Sequence, residues 1–434
     1  MTASLIGTAL VLILVFLRLP IAFAMGLVGF GGLWWLSDLG PTLSLTGQIT
    51  YSTARSYDFS VLPLFILMGN FVNRAGLSAN LYDASNAFLG HRRGGLAMAT
   101  IFACGGFAAV CGSSLATAAT FSKIAYPSMR RYGYSESLAA GVIAAGGTLG
   151  ILIPPSVIMV IYGLLTQASI GKLFAAGVLP GMVAIFFYLL AVQLQIRIWP
   201  HLGPPAKYTP WAERWRALYK VWGVIALFVL VMGGIYGGIF TPTEAAGIGA
   251  FGAFLMAIFS GGMNFKELRE VLIDSAMTSS LLFTILIGAL IFANFVNSAG
   301  FPEDLIAFVN GLHVAPIVII IAILIIYIIL GCILESISMI LLTVPVFFPL
   351  VSSLGYDPIW FGIIVVCVTE ISFLTPPIGM NVFVLSAMLP DVGTSKIFRG
   401  SMPFFIADLF RLGVLVAFPI ISTILPILFY GSSG

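Results

Sequence analysis

Long apolar runs separated by short polar segments extend along the whole chain. In the first half these runs fall near residues 2–17, 21–37, 57–73, 95–129, 137–167 and 175–197. In the second half they fall near residues 221–239, 243–260, 276–298, 315–351, 358–389 and 401–429. Because about 20 apolar residues in a helix are enough to cross a bilayer, the pattern predicts an all-α polytopic membrane protein.

One stretch, residues 111–156, returns in degenerate form as residues 333–378. Three groups of residues match at one spacing of 222 positions, which chance rarely provides over so long a gap. The matched groups are Pro127 and Pro349, Gly133-Tyr134 and Gly355-Tyr356, and Pro154-Pro155 and Pro376-Pro377. The sequence therefore indicates an internal duplication.

The duplication predicts two structural repeats, residues 1–197 and 221–430. A cytoplasmic linker with an interfacial helix is expected between them, at residues 198–220. Each repeat contains five predicted crossings and a hairpin. Because five is an odd number, the second repeat must enter the membrane from the opposite side, and the repeats are predicted to be inverted.

In each repeat the pattern predicts a re-entrant helical hairpin followed by a broken transmembrane helix. The hairpins are expected over 95–129 and 315–351, and the broken helices over 137–167 and 358–389. The hairpin tips are expected at 112–114 and 335–338, and the breaks at 146–150 and 369–381. Broken backbone at membrane depth costs several kcal/mol for each unsatisfied polar group unless protein or a cavity satisfies it. We therefore expect binding sites where tips and breaks meet.

Composition and charge exclude several classes of protein. With 60% apolar and 8% charged residues, the chain has too little polar surface to cover a soluble globule of 434 residues. The formal charge is only +3, and the basic residues lie in short loops rather than in a patch or run. This distribution excludes a nucleic-acid partner. The four cysteines lie in apolar runs without metal-binding spacing, and motifs of hydrolytic or nucleotide-binding enzymes are missing, so we expect no enzymatic activity.

Basic residues are distributed unequally between the two sides that this topology predicts. With the linker between the repeats placed in the cytoplasm, fifteen Lys and Arg residues fall inside, whereas Arg55 and Lys172 fall outside. This bias follows the positive-inside rule. It places both termini in the periplasm if the membrane is a bacterial inner membrane.

Hydroxyl groups and freed carbonyls at the tips and breaks are the oxygen ligands that a broken transporter helix offers to Na⁺. The positive ends of the half-helices would favour an anionic substrate. The alternative is that Gly, Ala, Ser and Thr simply allow helices to approach closely. That alternative explains Ala97, Ala99 and Gly105, but not a double proline that recurs beside each predicted site.

Five ionisable residues lie inside apolar runs, where burying a charge is costly unless the charge is paired or has a function. Asp408 and Arg411 are spaced i, i+3 and are predicted to form an ion pair. Glu335 and Glu370 could each face a cavity or cap the neighbouring half-helix. Lys123 could reach water, pair with an acid or contact substrate.

Several motifs resemble the large membrane subunit of tripartite ATP-independent periplasmic (TRAP) transporters. The similarity extends from about residue 18 to about residue 405. The segments that carry it are 63–69 (PLFILMG), 92–96 (RRGGL), 112–114 (GSS), 153–156 (IPPS), 162–163 (YG), 238–246 (GIFTPTEAA), 334–336 (LES) and 374–379 (LTPPIG).

The resemblance implies an elevator-type secondary transporter driven by a Na⁺ gradient. Its partners would be a small four-helix membrane subunit, a periplasmic substrate-binding protein and the lipid bilayer, and its substrate an organic acid such as a C4-dicarboxylate or sialic acid. Together with the tip residue Gly112, the Na⁺ ligands carried over are Ser113, Ser114, Gly147, Thr148, Ser336, Ser338, Thr369, Thr375 and Gly379. The substrate-binding candidates are Ser114, Pro155, Glu335, Pro377 and Asn381.

Two other functions remain open from the sequence. A stand-alone carboxylate or anion symporter of related hairpin architecture would need no binding protein. A scaffolding membrane protein, in which the broken helices only pack, would show neither substrate flux nor a response to ions.

Overall fold

The computed structural model describes residues 2–431, and these residues form helices joined by short loops. The prediction of an all-α membrane protein is confirmed. Two short 3₁₀ turns cover Asp58–Ser60 and Pro200–Leu202. The α-helices of the described chain are α1 (Thr2–Phe16), α2 (Ile21–Leu36), α3 (Leu39–Arg55), α4 (Val61–Arg74), α5 (Leu77–Leu89), α6 (Gly95–Cys111), α7 (Ser114–Arg131), α8 (Glu136–Leu152), α9 (Val157–Thr166), α10 (Ile170–Ile198), α11 (Trp211–Lys220), α12 (Trp222–Tyr236), α13 (Pro242–Phe259), α14 (Phe265–Ser298), α15 (Phe301–Gly311), α16 (Pro316–Gly331), α17 (Ser336–Ser353), α18 (Pro358–Ser372), α19 (Met380–Met388), α20 (Thr394–Ala417) and α21 (Ile420–Tyr430).

Six helical segments of residues 2–431 are long and apolar enough to cross a membrane, or up to eight if each of two bent pairs is one span. One of the six is the broken helix Glu136–Thr166, which combines α8 and α9 and buries 78% of its most apolar window inside the protein. A helix that is apolar all round and surrounded by protein belongs to the centre of a bundle. This helix is therefore a core element.

Helices follow the same order in the two halves. The predicted hairpins fall on α6–α7 and α16–α17, and the predicted broken helices fall on α8–α9 and α18–α19. One helix differs clearly in continuity. The 34-residue helix α14 corresponds to α3 and α4, which are separated near Ser56. Helix α10 corresponds to α20, which ends at Ala417 and is followed by the separate helix α21.

Packing between the halves is reciprocal. Helix α2 packs on α14 and α13 packs on α4, while α7 packs on α19 and α17 packs on α9. Glycines permit the closest approach, since a β-carbon on Gly29 would lie 2.7 Å from the Cα atom of Phe292. Reciprocal contacts are what two repeats related by a pseudo-two-fold axis would make, which supports the predicted duplication.

Segments predicted on the cytoplasmic side meet at one end of the molecule. The amide of Gly94 donates a hydrogen bond to the carbonyl of Gly203 at 2.9 Å, and Arg74 forms an ion pair with Glu267. At the other end, Asp58, Gln167 and Tyr430 line a cavity of about 380 Å³. Segments that the charge pattern assigns to the same side of the membrane thus lie together in the structure. Which end faces the cytoplasm stays a prediction.

The predicted interfacial helix between the repeats is α11. Arg214, which is buried, lies with its guanidinium 4.8 Å from the ring centres of both Tyr208 and Trp211. Trp215 on the same helix is 61% exposed. Arg214 also stacks on the ring of Phe88 in α5, and these cation–π contacts hold α11 against α5. The exposed aromatic side chains of α11 remain free to contact the membrane interface.

Candidate functional site

Both hairpin tips line one cavity of about 410 Å³. Helices α4 and α14 close its other side. Among the lining residues Glu335 is the only one with a charged side chain. The polar lining residues are Asn70, Ser113, Ser114, Thr278, Glu335 and Ser336.

The first tip is a tight turn packed against the first helix break. Gly112 has a φ of +65°, a conformation that glycine adopts without strain. A β-carbon on Gly112 would lie 2.7 Å from the carbonyl oxygen of Pro155, and one on Gly150 would lie 2.5 Å from that of Ser113. The two glycines therefore allow the backbones of tip and broken helix to touch. Pro155, predicted to bind substrate, contacts the first tip but does not line the cavity.

Ser113 and Glu335 each immediately precede and cap the second helix of a hairpin. The Ser113 hydroxyl accepts a hydrogen bond from the amide of Ala116 at 3.4 Å, which caps α7. The Glu335 carboxylate accepts one from the amide of Ser338 at 3.3 Å, which caps α17. Glu335 thus both caps a half-helix and lines the cavity, so the two interpretations of this residue hold together.

The breaks lie later in the chain than the sequence suggested. Helix α8 continues through Gly146–Gly150 and ends at Leu152, and α18 continues through Thr369 and ends at Ser372. The predicted break at 146–150 is therefore wrong, and that at 369–381 begins too early. Glycines at 146, 147 and 150 serve close packing inside a helix, whereas the backbone leaves the helix where proline removes a hydrogen-bond donor.

The predicted ligands divide into two groups by position. Gly112, Ser113, Ser114, Glu335 and Ser336 line the cavity. Ser338 is buried, and the Thr369 hydroxyl donates to the carbonyl of Val365 one turn earlier in α18. Thr375 lies beyond the end of α18, and its hydroxyl donates to the carbonyl of Ile371. Gly379 immediately precedes α19 with a φ of +55°, and Pro377 is exposed; neither residue lines this cavity.

Three predicted site residues meet at a contact between the two halves. Asn381 donates a hydrogen bond of 2.8 Å to the carbonyl of Ala144 and accepts one of 3.0 Å from the hydroxyl of Ser114. A β-carbon on Gly147 would lie 2.9 Å from the side-chain nitrogen of Asn381. Asn381 is fully buried, so it connects the first tip to the first broken helix.

Thr148 belongs to a second, more deeply buried contact. Its hydroxyl oxygen lies 2.8 Å from Oε1 of Glu370 and 2.9 Å from the hydroxyl of Tyr188. Arg411 Nη2 lies 2.7 Å from Oε2 of Glu370 and 3.2 Å from Oδ1 of Asp408. The predicted ion pair of Asp408 and Arg411 is confirmed, whereas Glu370 pairs with Arg411 and faces neither the cavity nor a helix end.

Sequence reasoning did not find Tyr188 as a partner in this cluster. Its hydroxyl donates a hydrogen bond of 2.8 Å to Oδ2 of Asp408. A tyrosine in an apolar run is an ordinary core residue, and its only signal was a hydroxyl that must find a partner once buried. Lys123, in contrast, is exposed on the protein surface and is removed from the site.

The geometry of the cavity suits small ions. Helices α7, α9 and α17 begin around it, and the positive ends of helices attract anions. Serine hydroxyls, peptide carbonyls and the Glu335 carboxylate are hard oxygen donors that suit a cation such as Na⁺. The site can therefore hold positive and negative charge side by side.

Comparison with known families places the whole chain in one of them. Residues 8–421 match the family model described as tripartite ATP-independent periplasmic transporter, DctM component. The C4-dicarboxylate TRAP transporter large permease protein DctM of Pseudomonas aeruginosa is 37% identical over 87% of this chain and 88% of its own length. The isethionate TRAP transporter permease protein DctMQ of Oleidesulfovibrio alaskensis is 32% identical over 85% of this chain but only 58% of its own length.

Similarity to a solved structure concerns the fold. The Alcanivorax borkumensis YdaH transporter superposes with a TM-score of 0.63, covering 89% of this chain and 90% of its own, at 15% identity. The family model and the sequence relatives go further than this shared fold. They show that the chain is a large permease of the DctM component family of tripartite ATP-independent periplasmic transporters.

Proposed function

We propose that this chain carries an organic acid anion across a bacterial inner membrane together with Na⁺, after a periplasmic binding protein has delivered the anion. A small four-helix membrane subunit would complete the transporter. The proposal is supported above all by the single cavity that both hairpin tips share with α4 and α14.

Charge balance favours coupling to a cation. A carboxylate that enters this cavity meets Glu335, which is also negative, and the lining contains no Lys or Arg. Two like charges in a partly dehydrated site repel each other strongly. Na⁺ ions bound by hydroxyls and carbonyls at the tips would supply the missing positive charge, so that anion and cations would bind favourably only together.

Names of the relatives indicate the chemical class of the substrate. A C4-dicarboxylate and isethionate are both small organic anions. The greater length of the second relative agrees with a fused small subunit in that protein. We expect an organic anion of similar size here, with an elevator movement of the hairpins and broken helices as the transport step.

Reconstitution tests this function directly. Liposomes would contain the permease and the small subunit, with binding protein and radiolabelled C4-dicarboxylate, isethionate or sialic acid added outside. Uptake should require a Na⁺ gradient. In Ser113→Ala and Ser336→Ala, loss of a cavity hydroxyl should raise the Na⁺ concentration for half-maximal uptake about fivefold.

Ser352→Ala provides the matched control, because Ser352 is exposed and lies outside the cavity. This variant should keep the wild-type Na⁺ curve. Uptake that needs no binding protein would identify a stand-alone symporter instead. Uptake that is independent of Na⁺ in the wild type would contradict the proposed coupling.

A further inference from the structure

A second cavity, of about 330 Å³, adjoins the cavity that the two hairpin tips share, and Asn70 lines both of them. We call the first the substrate cavity and the second the vestibule. The residues that line the vestibule are Asn70, Asn73, Arg74, Glu267, Glu270, Val271 and Asp274. Six of these seven are polar or charged, whereas most residues that line the substrate cavity are apolar.

Both cavities lie along one groove between α4 and α14. Lining residues recur every four positions on each helix, which places them on one face of that helix. They are Ile66, Asn70 and Arg74 on α4, and Leu282, Thr278, Asp274 and Glu270 on α14. In each series the first residues line the substrate cavity and the last residues line the vestibule. The groove therefore continues from one cavity into the other.

Asn70 lies where the two cavities meet. Its side-chain nitrogen donates a hydrogen bond of 2.8 Å to the hydroxyl of Ser275 on α14. Ser275 is buried, and its own hydroxyl donates to the carbonyl of Val271 at 2.7 Å. This pair of bonds holds α4 against α14 at the junction, so Asn70 is the entrance residue of the vestibule.

The far end of the vestibule lies at the protein surface. Asn73, Glu270 and Asp274 are exposed, and the exposed Arg74 forms an ion pair with Glu267. This is the end of the molecule where the segments predicted to be cytoplasmic meet. Polar and charged groups favour water over an apolar environment. The vestibule is therefore suited to hydrated ions and not to the acyl chains of lipids.

The first hairpin also contacts the vestibule. The hydroxyl of Thr120 on α7 donates a hydrogen bond of 3.2 Å to the side-chain oxygen of Asn73. Thr120 lies one turn after Ala116, which lines the substrate cavity. The side of the hairpin that faces the substrate cavity thus continues along the vestibule, and a movement of the hairpin relative to α4 would break this contact.

We propose that the vestibule is the route by which substrate and Na⁺ leave the substrate cavity for the cytoplasm, with Asn70 at its entrance. This inference rests on the proposed transport function and adds to it a path through named residues. Three carboxylates and one guanidinium give the vestibule a negative net charge, which repels a substrate anion. The vestibule is therefore a passage and not a second binding site for the substrate.

A thiol in the substrate cavity tests the route without relying on transport. Thr278→Cys, in a variant without native cysteines, places this thiol in the cavity lining. In inverted membrane vesicles, whose cytoplasmic side faces outward, an impermeant thiol reagent should react with it. Asn73→Trp, which fills the vestibule with an indole ring, should prevent this reaction. Asn73→Ala loses the same hydrogen bond to Thr120 without filling the vestibule, so it should leave the reaction rate unchanged.

A control thiol shows that the filled variant still folds and inserts. Ser395 is exposed at the start of α20 and lines neither cavity. Ser395→Cys should react equally with and without Asn73→Trp. Asp274→Trp fills the vestibule from α14 instead and should protect Thr278→Cys in the same way. A cavity thiol that is unreactive from the cytoplasmic side, or one that reacts equally in Asn73→Ala and Asn73→Trp, would overturn the route.

Uptake into liposomes separates failure of the route from failure of the function. Asn73→Trp should lose uptake, whereas Asn73→Ala should retain it. A wild-type protein that takes up no organic anion would contradict the proposed function, and the thiol reaction would still decide whether the vestibule opens the cavity. Full uptake by Asn73→Trp, beside an active wild type, would overturn the route alone.

Discussion

The hydroxyl of Ser114 donates a hydrogen bond of 3.0 Å to the side-chain oxygen of Asn381, across 267 residues of sequence. Ser114 is the first residue of α7, at the first hairpin tip, and Asn381 lies on α19 in the second half. Asn381 also donates to the carbonyl of Ala144. The first tip, the first broken helix and the second broken helix thus meet at one amide side chain, and its replacement should disturb all three.

We expect Asn381→Ala to lower the free energy of unfolding by about 1–3 kcal/mol, because it leaves a buried hydroxyl and a buried carbonyl without their partner. Thermal unfolding in detergent would measure this change. Asn294→Ala is the matched control, since Asn294 is half-buried and its side chain bonds only to Leu290 in its own helix. Equal losses in the two variants would show that the contact between the halves adds nothing.

We expect Gly150→Ala to impair transport even where the protein still folds. Its β-carbon would lie 2.5 Å from the carbonyl oxygen of Ser113, so the hairpin tip must move away from α8. Gly413→Ala offers the opposite case, because Gly413 lies inside α20 with open space around it. Alanine there should be neutral or should stabilise the helix by up to about 1 kcal/mol.

The two alanine variants are compared by initial uptake rate and by melting temperature. The proposed contact between tip and helix requires a slower rate for Gly150→Ala than for Gly413→Ala. Wild-type rates for both would mean that the position of the tip does not matter for transport.

Inverted repeats predict that equivalent helix ends lie on opposite sides of the membrane. Arg131 is the last residue of α7, and Ser353 is the last residue of α17. The two residues occupy equivalent positions in the two repeats, and both are exposed. In a variant without native cysteines, an impermeant thiol reagent added to intact cells after the outer membrane is permeabilised should label Ser353→Cys. Arg131→Cys should react only after the inner membrane is opened. Labelling of both from one side would contradict inversion.

The apolar runs and the 222-residue spacing were sufficient to predict the fold class and the positions of the helix pairs α6–α7, α8–α9, α16–α17 and α18–α19, because these follow from local chain chemistry. A run of apolar residues must leave water whatever its neighbours are, and proline removes a backbone donor at its own position. The i, i+3 spacing of Asp408 and Arg411 likewise made their ion pair predictable, since both lie on one face of one helix.

Contacts between distant segments were decided by the tertiary structure. A glycine in the sequence can mark a helix break or a close helix contact, and only the approach of Cys104, Ala118 and Ser113 shows that 146–150 serves contact. Thr148 looked like an ion ligand because the sequence does not tell which face of α8 meets the cavity. Its hydroxyl instead meets Glu370 and Tyr188, because packing rotates α8 so that its glycines face the hairpin tip and its threonine faces the buried charges.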